Sequence, residues 1–107
     1  MDEKRKKTLP VQKISQFCKK WKIVEFSIFG SYLNEAFSAD SDIDVLVKYA
    51  HDANWSLFDY MDMVEELKLI FGRNTDLVNK DVIQKSQNAI KRNAILASAE
   101  VVYVSAA

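Results

Sequence analysis

The chain reads as an α/β (α+β) protein, with a small mixed sheet of three to four strands flanked by helices. Short runs rich in β-branched and aromatic residues recur: IVEFSIF at 23–29, IDVLVKY at 43–49, TDLVN at 75–79 and EVVYV at 100–104. Between them lie longer segments whose apolar residues repeat at spacings of three and four, the signature of one-sided helices. The two kinds alternate as α-β-α-β-α-β-α-β, an order that places helices against a sheet. No internal repeat, low-complexity tract or linker interrupts it.

Residues 8–22 form the first predicted helix, with Val11, Ile14, Phe17, Cys18 and Trp21 on one face, Thr8 as N-cap and Pro10 in the first turn. The strand 23–29 ends at Gly30, and 31–37 reads as a short helix or turn. Strand 43–49 is followed by a polar loop at 50–54. The spacing predicts a helix over 55–71, with Leu57, Met61, Val64, Leu67 and Phe71 repeating beside Tyr60 and Gly72 as its stop. After strand 75–79, residues 82–97 are expected to form one long helix carrying Ile83, Ile90 and Ile95, and 100–104 a fourth strand.

A length of 107 residues fits one domain spanning 1–107, with the charged start MDEKRKK as a disordered lead-in. Fifteen basic residues balance fifteen acidic ones, which argues against a general nucleic-acid binder, since such proteins carry a basic excess to neutralise phosphates. The single cysteine, Cys18, permits no internal disulfide and fits a cytoplasmic protein; it reads as a small core residue. No apolar run approaches bilayer-spanning length, so no membrane role is expected.

The chemistry-bearing residues cluster in FGSYLNEAFSADSDIDVLV at 29–47. A glycine at a strand end lets a ligand approach the backbone, and free N–H groups at a following helix start favour an anion. Ser31 adds a hydroxyl for a phosphate oxygen. Asp42 and Asp44 lie two apart at the opening of a strand, so both carboxylates point to one face. Like charges that close repel unless a cation sits between them. Magnesium takes one or two carboxylates and completes its shell with water and substrate phosphates, so the pair suggests a metal site that a nucleoside triphosphate would fill. Asp40, Asp42 and Asp44 also imitate the first half of a calcium loop, but Val45 stands where that loop needs glycine and His51 where it needs glutamate. Asp76, opening another β-prone run, is the natural third carboxylate, with Asp81 as the weaker alternative. Three converging carboxylates fit a two-metal in-line phosphoryl displacement. Lys48 shares the strand face of Asp42 and Asp44 and is a candidate phosphate contact. His51, the only histidine, cannot assemble a zinc site, and Trp55 reads as helix-end packing rather than as a ring that stacks on a base.

Gly30-Ser31, ten intervening residues, then Asp42-Ile43-Asp44 and an apolar strand resembles the signature of the DNA polymerase β-like nucleotidyltransferases. Within them it is similar to the minimal nucleotidyltransferase (MNT) domains of bacteria and archaea. The likeness extends over roughly residues 10–104, through the Asp76-Leu77-Val78 strand to the Val101-Val102-Tyr103 tail. It implies a polymerase β-like palm fold with Gly30 and Ser31 on the β- and γ-phosphates. It further implies that Asp42, Asp44 and Asp76 act as catalytic and metal-binding residues for two Mg2+ ions, with ATP as substrate. The expected reaction moves AMP to a hydroxyl of another molecule. For MNT proteins the implied partner is a helical HEPN-type protein, in a toxin–antitoxin pair whose antitoxin modifies the toxin; a homo-oligomer is the other assembly to expect. Two further readings stand beside this one: a contact inhibitor without catalysis, and a transferase acting on a small molecule with a separate substrate-binding subunit. The family's arginines after Gly-Ser are absent. No lysine or arginine lies between Lys22 and Lys48, so positive charge must come from metals or from elsewhere in the fold.

Overall fold

The computed structural model describes residues 9–29 and 42–105. Their elements are α1 (Val11–Lys20), β1 (Ile23–Phe29), β2 (Ile43–Tyr49), α2 (Leu57–Phe71), β3 (Thr75–Asn79), α3 (Lys80–Gln84), α4 (Ala89–Ser98) and β4 (Glu100–Val104). The four strands form one mixed sheet in the order β3-β2-β1-β4. β1 runs antiparallel to both β2 and β4, whereas β2 and β3 are parallel. A parallel pair needs a crossover of a dozen residues or more, and α2 supplies it. All four strands occupy the ranges expected from β-propensity.

The pleat sorts β2 into two faces. Ile43, Val45 and Val47 are buried in the core cluster with Ile14, Phe17, Cys18, Met63 and Leu67 from α1 and α2. Asp44, Leu46 and Lys48 therefore occupy the opposite face. On that face, across β1, their partners are Phe29, Ser27 and Glu25. No described helix is long and apolar enough to cross a membrane.

Several helical details differ from the sequence expectation. Thr8 lies outside the described residues, and α1 begins at Val11 behind Pro10, which offers no side-chain cap. Val11 is half-exposed rather than part of the core stripe. α2 starts two residues later than expected, fixed by a capping box in which Ser56 Oγ accepts from the Asp59 N–H and the Asp59 carboxylate accepts from the Ser56 N–H. Its buried side is Met63 and Leu67; Leu57 and Met61 are exposed. α2 is apolar on more than one side, so spacing alone could not choose, and the Tyr49 hydroxyl bound to Met63 Sδ at 3.3 Å marks the side that meets the sheet. Gly72 ends α2 at φ 73°, as a left-handed C-cap requires.

The single helix expected over 82–97 is two helices. Asn79 Oδ1 caps α3, and α4 restarts where Asn88 Oδ1 accepts from the Lys91 N–H. Ser86 braces the break: its Oγ accepts from the Asn88 N–H and its carbonyl from Arg92 Nη1. Short polar side chains that bond nearby backbone compete with helix continuation. No residue of α4 is buried, and Ile90 is exposed.

Leu67→Ala, which empties a site with 0% exposure, should cost about 2–5 kcal/mol in chemical denaturation. Cys18 is equally buried, and burial pushes its thiol up to about 12. A thiol reagent should label it only once the chain unfolds, with the labelling rate following denaturant rather than reagent concentration.

Candidate functional site

The parallel register of β2 and β3 sets Asp44 directly beside Asp76, with Ile43 beside Thr75 and Leu46 beside Val78. The two carboxyls thus meet on the sheet face turned away from α1 and α2, within hydrogen-bond reach of one another. Asp42 is exposed just ahead of β2, two residues upstream, and its charge also reaches Asp44. Burial pushes the Asp44 carboxyl above its ordinary value; the Asp76 charge, the Asp76 hydrogen bond and the Asp42 charge push it the same way. The cluster is thus a place where negative charge is held against its own repulsion.

Phe29, the last residue of β1, is the cross-strand neighbour of Asp44, so the chain leaves β1 beside the carboxylates. Gly30 and Ser31, which follow it, lie outside the described residues, as do Asp40 and the expected short helix at 31–37. Lys48 is half-buried on the same strand face as Asp44 but four residues further along, a separation of about 13 Å. Asp81 is not part of the cluster; it sits in the first turn of α3. The cation Lys80 forms an ion pair with Glu25, the cross-strand neighbour of Lys48. His51 is exposed, and Trp55 packs edge-to-face on Trp21, to whose carbonyl its Nε1 donates at 2.8 Å.

The donor set suits a hard divalent cation: carboxylate oxygens only, two in direct contact and a third close by in sequence. Among the described residues, no three histidine, cysteine, aspartate or glutamate side chains are already gathered as a ligand set. Asp42 would have to turn inward to join the other two.

Asp44 holds its proton more tightly folded than unfolded. Below both values the group is neutral in each state and costs nothing. As pH rises past the ordinary aspartate value the unfolded chain loses the proton first, so folding stability falls and stays lower at neutral pH. Asp44→Asn should therefore raise the melting temperature at pH 7, in metal-free buffer, and flatten that acid-side decline. A melting temperature at pH 7 below the wild-type value would contradict this electrostatic picture.

The nucleotidyltransferase domain family matches residues 11–100 of the chain. The chain is 32% identical over 80 residues to the protein adenylyltransferase MntA of Thermococcus cleftensis, covering 75% of this chain and 73% of that protein. It is 33% identical over 64 residues to a Methanocaldococcus jannaschii protein provisionally named a protein adenylyltransferase, covering 60% of this chain and 64% of that one, just under two thirds of its length. Among solved structures, a toxin–antitoxin crystal structure with AMP-PNP superposes with TM-score 0.68 at 17% identity, over 92% of this chain and 76% of that chain. The tri-AMPylated HEPN toxin of Shewanella oneidensis in complex with its MNT antitoxin superposes with TM-score 0.60 at 16% identity, over 98% of this chain and 74% of that chain. At such identities the structural likeness is one of fold, and it is the minimal nucleotidyltransferase fold expected from the sequence. With its family signature matched across nearly all of its described length, this chain belongs to the nucleotidyltransferase domain family.

Proposed function

We propose that the chain is a cytoplasmic, magnesium-dependent nucleotidyltransferase that moves AMP from ATP to a hydroxyl of a HEPN-type partner protein, and acts in this way as the antitoxin of a toxin–antitoxin pair. The observation that carries the reading is the Asp44–Asp76 contact on one sheet face, with Asp42 beside it. A carboxyl pushed up by burial and by neighbouring acids, as Asp44 is, makes a poor structural device and a good cation site. The names of the relatives, protein adenylyltransferases and an AMPylated HEPN toxin bound to its MNT antitoxin, support a protein acceptor.

In this reading the single domain works as follows. Asp42 and Asp44 would hold magnesium, and Asp76 would hold a second ion. Bound cations would offset the charge on the triphosphate and on the departing pyrophosphate. Gly30 and Ser31 would hold the β- and γ-phosphates. The acceptor oxygen attacks the α-phosphorus in line. A new O–P bond forms, the bond from α-phosphorus to pyrophosphate breaks, and the hydroxyl proton passes to the Asp76 carboxylate and then to water.

The placement of positive charge favours one alternative, in which the chain silences its partner by contact alone. Of the two lysines on the Asp44 side of the sheet, Lys80 is paired with Glu25, and Lys48 is four residues further along the strand. A transferase acting on a free metabolite is the third reading, and a second copy of the chain could then complete its acceptor site.

ATP labelled at the α-phosphate, mixed with magnesium, this protein and the product of the adjacent gene, separates them. Label should appear on the partner and fall by about 100-fold or more in Asp44→Asn, the scale of losing a preorganised charge stabiliser. Label that persists in a folded Asp44→Asn protein would overturn the assignment. An unlabelled partner that is nonetheless bound and silenced would favour the contact reading, and label on a small molecule the third. Independently of activity, magnesium should raise the melting point of the wild-type protein, by about 2.7 kcal/mol of stability at a hundredfold excess over its dissociation constant, and should do much less for Asp44→Asn.

A further inference from the structure

A groove of about 810 Å³ opens at the end of the sheet away from the carboxylates, where β2 and β3 finish and β1 begins. Its volume lies within the range of small-molecule sites. Its walls combine three aromatic rings, Tyr49, Trp55 and Tyr60, with Lys48, Asn54 and Asp81 among the polar groups. Each ring is held by its polar atom. Trp55 Nε1 donates to the Trp21 carbonyl at 2.8 Å, the Tyr60 hydroxyl to the Leu77 carbonyl at 2.9 Å, and the Tyr49 hydroxyl faces Met63 Sδ at 3.3 Å. The rings are thus fixed in place with their polar atoms already engaged, and what they offer a ligand is carbon surface.

Lys48 differs from the other lysines around it. Lys22 pairs with Asp52 at 3.1 Å, and Lys80 with Glu25. Glu25 is the residue across from Lys48, yet its carboxylate goes to Lys80. Lys48 is half-buried in the groove wall, with no ion pair or hydrogen bond among the described residues. A half-buried lysine with no counter-charge among the described residues attracts an anion. Preformed rings beside that lysine complement a flat ring joined to an anionic group. A groove this large is better filled by a nucleotide than by a lone aromatic acid. The Asp81 carboxylate and the Asn54 amide suit neutral sugar hydroxyls, and Asp81 disfavours a phosphate beside itself, which leaves Lys48 as the phosphate's place.

We propose that the groove lined by Lys48, Trp55 and Tyr60 is a second ligand site, for a nucleoside monophosphate, separate from the carboxylate cluster at the opposite end of β2. This does not depend on the transferase reading, because it requires neither the metal nor the carboxylates.

The test is a titration of the intact chain with AMP in EDTA, read by tryptophan fluorescence, since Trp55 lines the groove and Trp21 packs against it. Saturable quenching is expected, equally strong in Asp44→Asn. Adenosine and inorganic phosphate, each offering half of the ligand, should bind about tenfold more weakly or worse, the scale of losing one charge-assisted hydrogen bond. Phenylacetate, a smaller ring-bearing anion, should also bind more weakly; if it binds more tightly than AMP, the ligand class is wrong. Lys48→Gln should weaken AMP by a similar factor, and Tyr60→Ala should weaken both AMP and adenosine, with far-ultraviolet circular dichroism confirming that each variant is folded. Should Tyr60→Ala fail to fold, His51→Glu, an exposed change in the same wall, should still weaken AMP and spare adenosine. Absence of saturable quenching, binding that appears only with magnesium and disappears in Asp44→Asn, or affinity indifferent to Lys48→Gln would each overturn the proposal.

Discussion

The parallel pairing of β2 with β3 is the constraint on which the candidate site depends. It brings Asp76 to Asp44 across a register that also aligns Ile43 with Thr75 and Val45 with Leu77. The apolar partners on the helix-facing side hold that register, because a slip of one residue would drive Asp44 into the core and expose Val45. The repulsion between the two carboxyls is thus resisted by burial on the other side of the same strands. α2 makes the arrangement possible, since its length is what allows β3 to return beside β2 in the same direction.

β2 has distinct chemistry at its two ends. Its first residues carry the carboxylates, and its last carry Lys48 and Tyr49 into an aromatic groove. Between them on the same face lies Leu46, which is almost wholly buried. Asp44 and Lys48 are kept apart by an apolar spacer rather than neutralising each other, so Lys48 does nothing to relieve the repulsion that Asp44 meets from Asp76 and Asp42.

The sequence revealed the strands because their signal is local: a β-branched run with a turn residue at its end is complete in five to seven positions. The period of two predicts that Asp42 and Asp44 share a face, but Asp42 lies just ahead of β2 and is exposed, so only Asp44 takes its place on the pleat. Asp76 could be named as a candidate from its strand opening, but its contact with Asp44 is a matter of register that no local pattern contains. The helix faces were less legible. α2 is apolar on several sides, and only the approach of Tyr49 to Met63 selects the buried one. The break between α3 and α4 was written in Ser86 and Asn88, whose capping chemistry outranks the apolar spacing of Ile83, Ile90 and Ile95. The groove gave no motif because the loop after β2 supplies only part of its wall, and the rest comes one or two residues at a time from β1, β2, α2, β3 and α3.

The crossover through α2 also carries a consequence for the order of events in time. Asp44 and its antiparallel neighbour Phe29 belong to adjoining strands, but Asp76 reaches Asp44 only after the whole of α2 has been made and docked. Closing so large a loop is slow compared with forming a helix or a hairpin. During synthesis or refolding, the chain would pass through a stage in which the β1–β2 pair and much of the core exist while the acidic pair does not. A nascent chain on the ribosome would carry Asp44 without its neighbour, so the Asp44–Asp76 pairing should be among the last features to form.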